Sequence, residues 1–312
     1  MRSPDAGGGG AILHDLHHAT EERGIDHVVA ATRDLGLAAD AWSRAGFRLT
    51  PTARHPWGTE NRLVQLAGSF VEILGIGDGA AIPEPTATAF SFGAYNRDFL
   101  AGHGDGLSML VLESKDPRAD RAAFAAAGLR TYEPFGFERI AVTPEGEERK
   151  VGFDLTFTGF TGATGEPDMG FFTCCQRFPE NFWRPEYQDH PNTALALTAV
   201  VLVAPDPSDF HEGLSAFAGV REFHASSYGL EIPTPRGAIE VLTPAAYRWR
   251  HGAEALPEDP ETLVFKGLRF AVADLGRATE QVIAGGFTVT DHAGGFVVAD
   301  LGGASLAFEP AR

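Results

Sequence analysis

Two polar side chains stand inside apolar runs early in the chain, His27 in RGIDHVVAATRDLGLAADAWSRAGF and Glu72 in SFVEILGI. Strand alternation puts His27 on one face with Ile25 and Val29, and Glu72 on one face with Phe70 and Leu74, so each polar group faces an apolar lining. A carboxylate in such a place needs a partner, and a metal ion would be one. The plainer alternatives are a hydrogen-bonded core histidine and a carboxylate that faces solvent or pairs with Arg62. Between the two runs lies the polar, glycine-containing loop HPWGTENR, in which His55, Thr59, Asn61 and Arg62 can supply hydrogen bonds to a substrate. The Thr and Asn side chains can also do no more than stabilise their own turn around Gly58.

Further along, His190 and Asn192 in YQDHPNTA sit beside Trp183 and Tyr187, and either close over a binding site or strap two domains together. His14, His17 and His18 recur at helical spacing and read as a solvated helix. Cys174 and Cys175 are adjacent in FFTCC, where strand neighbours point to opposite faces. They read as small buried hydrophobes in a reducing compartment rather than as a disulfide. No phosphate loop, dinucleotide fingerprint or Ser-His-Asp motif is present.

The elements that must position these groups come from a repeat. Four copies of an apolar strand, an aspartate and an alanine-rich helix ending at Gly plus an apolar residue run HVVAATRDLGLAADAWSRAGF, MLVLESKDPRADRAAFAAAGL, AVVLVAPDPSDFHEGLSAFAGV and LRFAVADLGRATEQVIAGGF. Each aspartate, Asp34, Asp116, Asp206 and Asp274, caps a helix start, and each glycine, Gly46, Gly128, Gly219 and Gly286, supplies the left-handed turn that stops it. Short strands follow each helix, giving a β-α-β-β-β unit. The first unit begins at about Gly24 and ends near AAIPEPTA, and the second runs from Gly106 to about Arg177. The third covers Leu197 to Thr243, and the fourth starts near Lys266, after the surface loop RHGAEALPEDPET. The expected organisation is a tail at 1–22, a functional module pair at 23–180, a connector at 181–196 and a degenerate pair at 197–312.

The composition agrees. A chain of 312 residues with 44% hydrophobic content can bury two cores. The 42 acidic residues against 25 Lys plus Arg give a net charge of −17, which repels polyanions and argues against a nucleic-acid partner. No apolar run is long enough to span a bilayer, and the opening residues lack the core and cleavage site of a signal peptide, so a cytoplasmic protein without membrane partners is expected.

Four such modules, with a histidine in the first strand and a glutamate in the last, resemble the vicinal oxygen chelate superfamily, which includes glyoxalase I, extradiol dioxygenases and bleomycin-binding proteins. More narrowly, GIDHVV followed by RHPWGTENRLVQLAGSFVEIL is similar to glyoxalase-like domain proteins. The resemblance implies an α+β fold of four tandem modules, paired into two curved mixed-sheet cups with helices outside. It also implies one divalent metal ion held by His27 and Glu72, with Glu72 as the catalytic carboxylate. That donor pair suits Fe, Mn, Zn, Ni or Co without choosing among them. Met109 and Ala199 stand where the histidine would repeat, and Glu240 and Glu309 remain in the third and fourth modules without one, so a second metal site is not expected. The third ligand is expected to be Gln176, ahead of His190. Two functions follow: an isomerase, lyase or dioxygenase acting on a small molecule that chelates through adjacent oxygens, or a metal-free small-molecule binding protein of the bleomycin-resistance type. Self-association into a homodimer stays open.

Overall fold

The computed structural model describes residues 22–77, 82–142, 146–160, 166–292 and 294–311; His14, His17 and His18 lie outside the described residues. The first sheet contains β1 (Ile25–Thr32), β2 (Ala53–Arg54), β3 (Thr59–Gln65), β4 (Phe70–Ile76), β5 (Gly106–Glu113), β6 (Arg130–Thr131), β7 (Phe135–Val142), β8 (Glu148–Gly159) and β9 (Gly170–Gln176). Its order is β2-β3-β4-β1-β5-β9-β8-β6, with β7 paired to β8. The second sheet contains β10 (Ala194–Val203), β11 (His224–Ser226), β12 (Gly229–Pro233), β13 (Ala238–Leu242), β14 (Val264–Val272), β15 (Thr290–His292), β16 (Gly295–Leu301) and β17 (Ala304–Pro310). It repeats the pattern as β11-β12-β13-β10-β14-β17-β16-β15. In each sheet the first strand of a module runs parallel to its last strand, while the two first strands meet antiparallel at the centre.

Helices α1 (Leu35–Arg44), α3 (Pro117–Ala126), α5 (His211–Ala218) and α7 (Leu275–Ala284) are the repeated ones. Their starts are capped by Asp34, Asp116, Asp206 and Asp274, each accepting backbone N–H bonds; Asp206 does so through a short 3-10 turn, Pro207–Phe210, that leads into α5. The four terminal glycines, Gly46, Gly128, Gly219 and Gly286, all have positive φ, between 70° and 89°. Three further helices are α2 (Phe92–His103), α4 (Pro179–Phe182) and α6 (Pro244–His251). Helix α6 extends to the start of the segment expected to be a surface loop.

The apolar residues divide according to the face they occupy. One large cluster joins the outer faces of both sheets through α1, α3, α5 and α7, with Val28, Leu110, Val200 and Leu268 at its centre. A second fills the concave face of the first sheet, with Val29, Met109, Phe153 and Phe172, and a smaller third lies on the concave face of the second sheet under Tyr247. Helix α2 reaches the first cup through Phe92, and α6 reaches the second through Ala246 and Tyr247.

Alternation along β1 does not run unbroken. Ile25 belongs to the core between the sheets, whereas His27 and Val29 face the cup, because the pairing with β5 slips by one residue between Ile25 and His27. This β-bulge corrects the expectation that Ile25 shares the face of His27. An extra residue in one strand re-aims its neighbours, and here the extra residue is Asp26.

Candidate functional site

The first cup encloses a cavity of about 50 Å³, lined by His27, His55, Asn61, Glu72, Arg139 and Cys174 among nine apolar or aromatic side chains. That volume holds an ion with a few waters. His27 comes from β1, Glu72 from β4 beside it, Asn61 from β3, Arg139 from β7 and Cys174 from β9. Both His27 and Glu72 are buried. The imidazole stacks on Phe70, with ring centroids 4.3 Å apart.

The bulge gives His27 its orientation. Asp26 and His27 are neighbours in sequence, yet the Asp26 carboxylate lies 2.6 Å from His27 Nδ1. An ionised carboxylate only accepts, so Nδ1 carries the proton and the Nε2 lone pair is left to face the cup. Nε2 stands 3.8 Å from Glu72 Oε2. Two ligand atoms each about 2.1 Å from one ion are at most about 4.2 Å apart, so this pair can share one. Asn61 Nδ2 donates to Glu72 Oε1 at 2.5 Å, which leaves Oε2 as the oxygen on the His27 side. The ligand atoms of Asp26, His27 and Cys174 lie within 4.8 Å of one another. Asp26 is already hydrogen-bonded to Nδ1, so within this group it orients the histidine; Glu72 is not part of the group, and Cys174 belongs to the cavity wall. Burial pushes the Cys174 thiol well above its ordinary range, which keeps it protonated and a poor ligand.

The remaining expected residues divide cleanly. His55 enters the cavity wall: Nδ1 lies 2.8 Å from Thr59 Oγ1, Nε2 lies 3.9 Å from Glu72 Oε1, and the ring stacks on Trp57. Burial lowers its pKa to about 4, against the opposing pull of Glu72, so it is neutral at physiological pH. Thr59 therefore serves His55. Arg62 is on the opposite face of β3 from Asn61 and donates through Nε to the Thr50 carbonyl, outside the cup. Gln176 donates to Asp26 Oδ1 at 3.0 Å. Register explains its distance from Glu72: Glu72 pairs with Val29, but Phe172 holds the equivalent place opposite Val111. Gln176 is four residues further along, about 13 Å of strand.

His190 and Asn192 are brought to the connector rather than to the cup. His190 Nδ1 accepts from the Arg48 backbone N–H at 2.9 Å, and Nε2 donates to the Gln65 carbonyl at 2.8 Å, so both ring nitrogens are used. Asn192 donates to the Ala45 carbonyl and accepts from the Ala194 N–H. Together they tie the end of α1 and strand β3 to the start of β10.

Asp26, Cys174 and Arg139 were not among the expected site residues. Arg139 carried a readable signal: in FGFERIAV, alternation puts it on the same face as Phe135 and Phe137, an arginine on an aromatic stripe. Three buried polar atoms of cavity-lining residues, Asn61 Oδ1, Arg139 Nε and Trp57 Nε1, have no hydrogen-bond partner among the described residues. Orphaned polar atoms are costly in a finished core and suit a site completed by a ligand.

The second cup shows what the same scaffold does without a histidine. Glu240 pairs with Val201 as Glu72 pairs with Val29, and Ala199 fills the histidine position. Glu240 is gripped by Arg250 and Arg269, and Arg269 also reaches Glu309 at 2.6 Å. Guanidinium groups supply the positive charge there. Among the described residues Glu72 has no Arg or Lys within ion-pair distance. Beside that cluster, His251 Nδ1 meets Ser305 Oγ at 2.9 Å. Burial first, then the charges of Arg250, His292 and Arg269, lower its pKa from 6.5 to about 3. The unfolded chain therefore takes up this proton below pH 6.5 and the folded chain only below about 3, so folding stability should fall as pH drops through that window. The full effect is about 5 kcal/mol. Urea unfolding from pH 7 to 3 checks it: the stability gap between the wild type and His251→Gln should narrow as the pH falls, and a constant gap would contradict the assignment.

The fold is of the vicinal oxygen chelate type, in which paired β-α-β-β-β modules curve around a cup. The chain belongs to the Glyoxalase-like domain family, whose model matches residues 25–217, more than half of its length. Among curated proteins no sequence relative matches. A hypothetical protein from Staphylococcus aureus is similar in structure, with a TM-score of 0.66 at 11% identity over 93% of this chain and 100% of that one. A mutant of 4-hydroxymandelate synthase from Streptomyces coelicolor is similar too, with a TM-score of 0.52 at 12% identity over 88% of this chain and 78% of that one. Among the described residues no helix is long and apolar enough to cross a membrane.

Proposed function

We propose that this protein is a metal-dependent enzyme acting, in the first cup, on a small molecule that chelates through two adjacent oxygens. The observation that carries the reading is the 3.8 Å separation of His27 Nε2 and Glu72 Oε2, two buried donor atoms on neighbouring strands. His27 and Glu72 would hold the ion, with Asp26 orienting the histidine and Gln176 supporting it indirectly, through Asp26. When bound, a divalent ion supplies Lewis acidity toward a chelated oxygen and so suits isomerase, lyase or dioxygenase chemistry. The chain's own groups do the rest. Asn61 fixes one oxygen of Glu72, His55 stays neutral beside that same oxygen, and the aromatic walls line the remainder of the cavity.

Asp26→Asn isolates the orienting step. It keeps the shape but weakens the hold on the His27 tautomer, so Zn(II) affinity, measured by competition with a chromophoric chelator, is expected to drop about 10- to 100-fold. An unchanged affinity would remove Asp26 from the site.

Turnover tests the enzyme reading. Metal-stripped protein, reloaded with Fe, Mn, Zn, Ni or Co, is incubated with α-hydroxyketones, α-keto acids and catechols and followed by mass spectrometry. Metal-dependent conversion that is lost in Glu72→Gln is the expected result. Binding of the same compounds without conversion, equal with and without metal, would instead support a metal-free binding protein, the reading that the phenylalanine-rich lining favours.

A further inference from the structure

Beside the cavity lies a larger groove of about 390 Å³, and the two share Asn61, Leu63, Arg139 and Phe182 in their walls. Among the described residues four arginines line the groove, Arg54, Arg139, Arg149 and Arg184, and no aspartate or glutamate does. That is a pronounced local inversion in a chain of net charge −17. Two of the four have neighbouring carboxylates, Arg54 with Glu60 and Arg149 with Glu147. Among the described residues neither Arg139 nor Arg184 has an ion-pair partner, and Arg139 Nε is buried without a hydrogen bond.

Their placement is built rather than incidental. Gln65 accepts from the Arg184 backbone N–H through Oε1 at 3.0 Å and donates through Nε2 to the Phe182 carbonyl at 2.9 Å, fixing the connector against the sheet. Burial works against the charge of Arg139, and the field of Glu72 helps retain it. An unpartnered guanidinium in such a position is completed by an oxyanion, to which it can donate two parallel N–H bonds.

Resting on the reading of the first cup as the functional site, we propose that its ligand is an organic anion whose carboxylate or phosphate is held by Arg139, where groove and cavity meet, and by Arg184 in the groove wall. The apolar body of the ligand lies along the groove, whose wall includes Leu63, Val151, Phe182 and Tyr187. Arg139 is then a specificity-determining residue, selecting charged over neutral molecules.

Isothermal titration of the full chain tests this with three probes that share a phenyl ring: benzoate, phenyl phosphate and the neutral benzyl alcohol. Each is titrated into metal-stripped and Zn(II)-loaded protein. At least one anion should bind about tenfold or more tighter than benzyl alcohol, in both metal states, and more weakly as NaCl is raised. Arg139→Gln and Arg184→Gln should each abolish that preference, while Arg139→Lys retains part of it, which separates loss of charge from loss of fold. Comparing benzoate with phenyl phosphate names the oxyanion. Equal binding of anionic and neutral probes, no binding of any probe, or an undiminished anion preference in both Gln variants would overturn the proposal. If anion preference persists while no metal binds, the metal reading fails and this one stands.

Discussion

Glu72→Gln is expected to have opposite effects on the metal-free and the metal-loaded protein. Without metal, the wild type keeps a buried carboxylate whose nearest strong donor is the Asn61 amide at 2.5 Å. Burying that charge without a cation is unfavourable, so the neutral, isosteric glutamine should stabilise the metal-free fold by about 1–3 kcal/mol. With metal the order reverses. An ion that binds only the folded state adds stability in proportion to its affinity, about 2.7 kcal/mol when its free concentration is a hundred times the dissociation constant. The glutamine variant, lacking the anionic ligand, should gain almost nothing. Melting curves of both proteins with chelator and with excess Zn(II) therefore should cross. Equal gains in both proteins would place the ion elsewhere.

The other large effect is expected far from the site's chemistry. Arg23, immediately before β1, is buried, and its Nη2 and Nε lie 2.7 and 2.8 Å from Asp120 Oδ1 on α3. Its Nη1 donates to the Phe217 carbonyl on α5, its backbone N–H donates to Ala218, and the guanidinium lies over the Phe124 ring. One side chain thus joins the two sheets where α3 meets α5. Arg23→Ala leaves Asp120 buried with, among the described residues, Thr173 alone donating to its side chain, a loss expected to cost about 3–5 kcal/mol. Urea unfolding measures it. The double variant with Asp120→Ala should lose less than the sum of the single variants, because removing both charges leaves none uncompensated. A loss under about 1 kcal/mol in Arg23→Ala would assign the junction to apolar packing alone.

Local rules made the fold legible. An aspartate that caps and a glycine that tolerates positive φ act within one helical turn, so their spacing could be read directly, and all four pairs occupy those roles. His27 and Glu72 were legible as polar groups on apolar strands for the same reason. What escaped depended on register between strands distant in sequence. The bulge at Asp26 is set by pairing with β5, and it turns a residue that strict alternation would send to the other face toward His27. The place of Gln176 depends on how β9 pairs with β5, and that pairing puts Phe172 opposite Val111. His190 and Asn192 looked like site residues because polar and aromatic groups cluster around them. Their hydrogen bonds instead satisfy backbone groups at the junction of the two sheets. Arg139 needed both signals, an aromatic stripe readable in sequence and a partnerless environment visible only in three dimensions.

Elemental analysis of the full chain, purified without chelator or polyhistidine tag and then equilibrated with Fe(II), Mn(II), Zn(II), Ni(II) or Co(II), tests the central claim most directly. One divalent ion should remain per wild-type chain after gel filtration, and it should be lost in both His27→Ala and Glu72→Ala while their circular dichroism stays that of the wild type. A wild-type chain that retains none of the five ions, or folded variants that retain as much as the wild type, would contradict a metal centre built on His27 and Glu72.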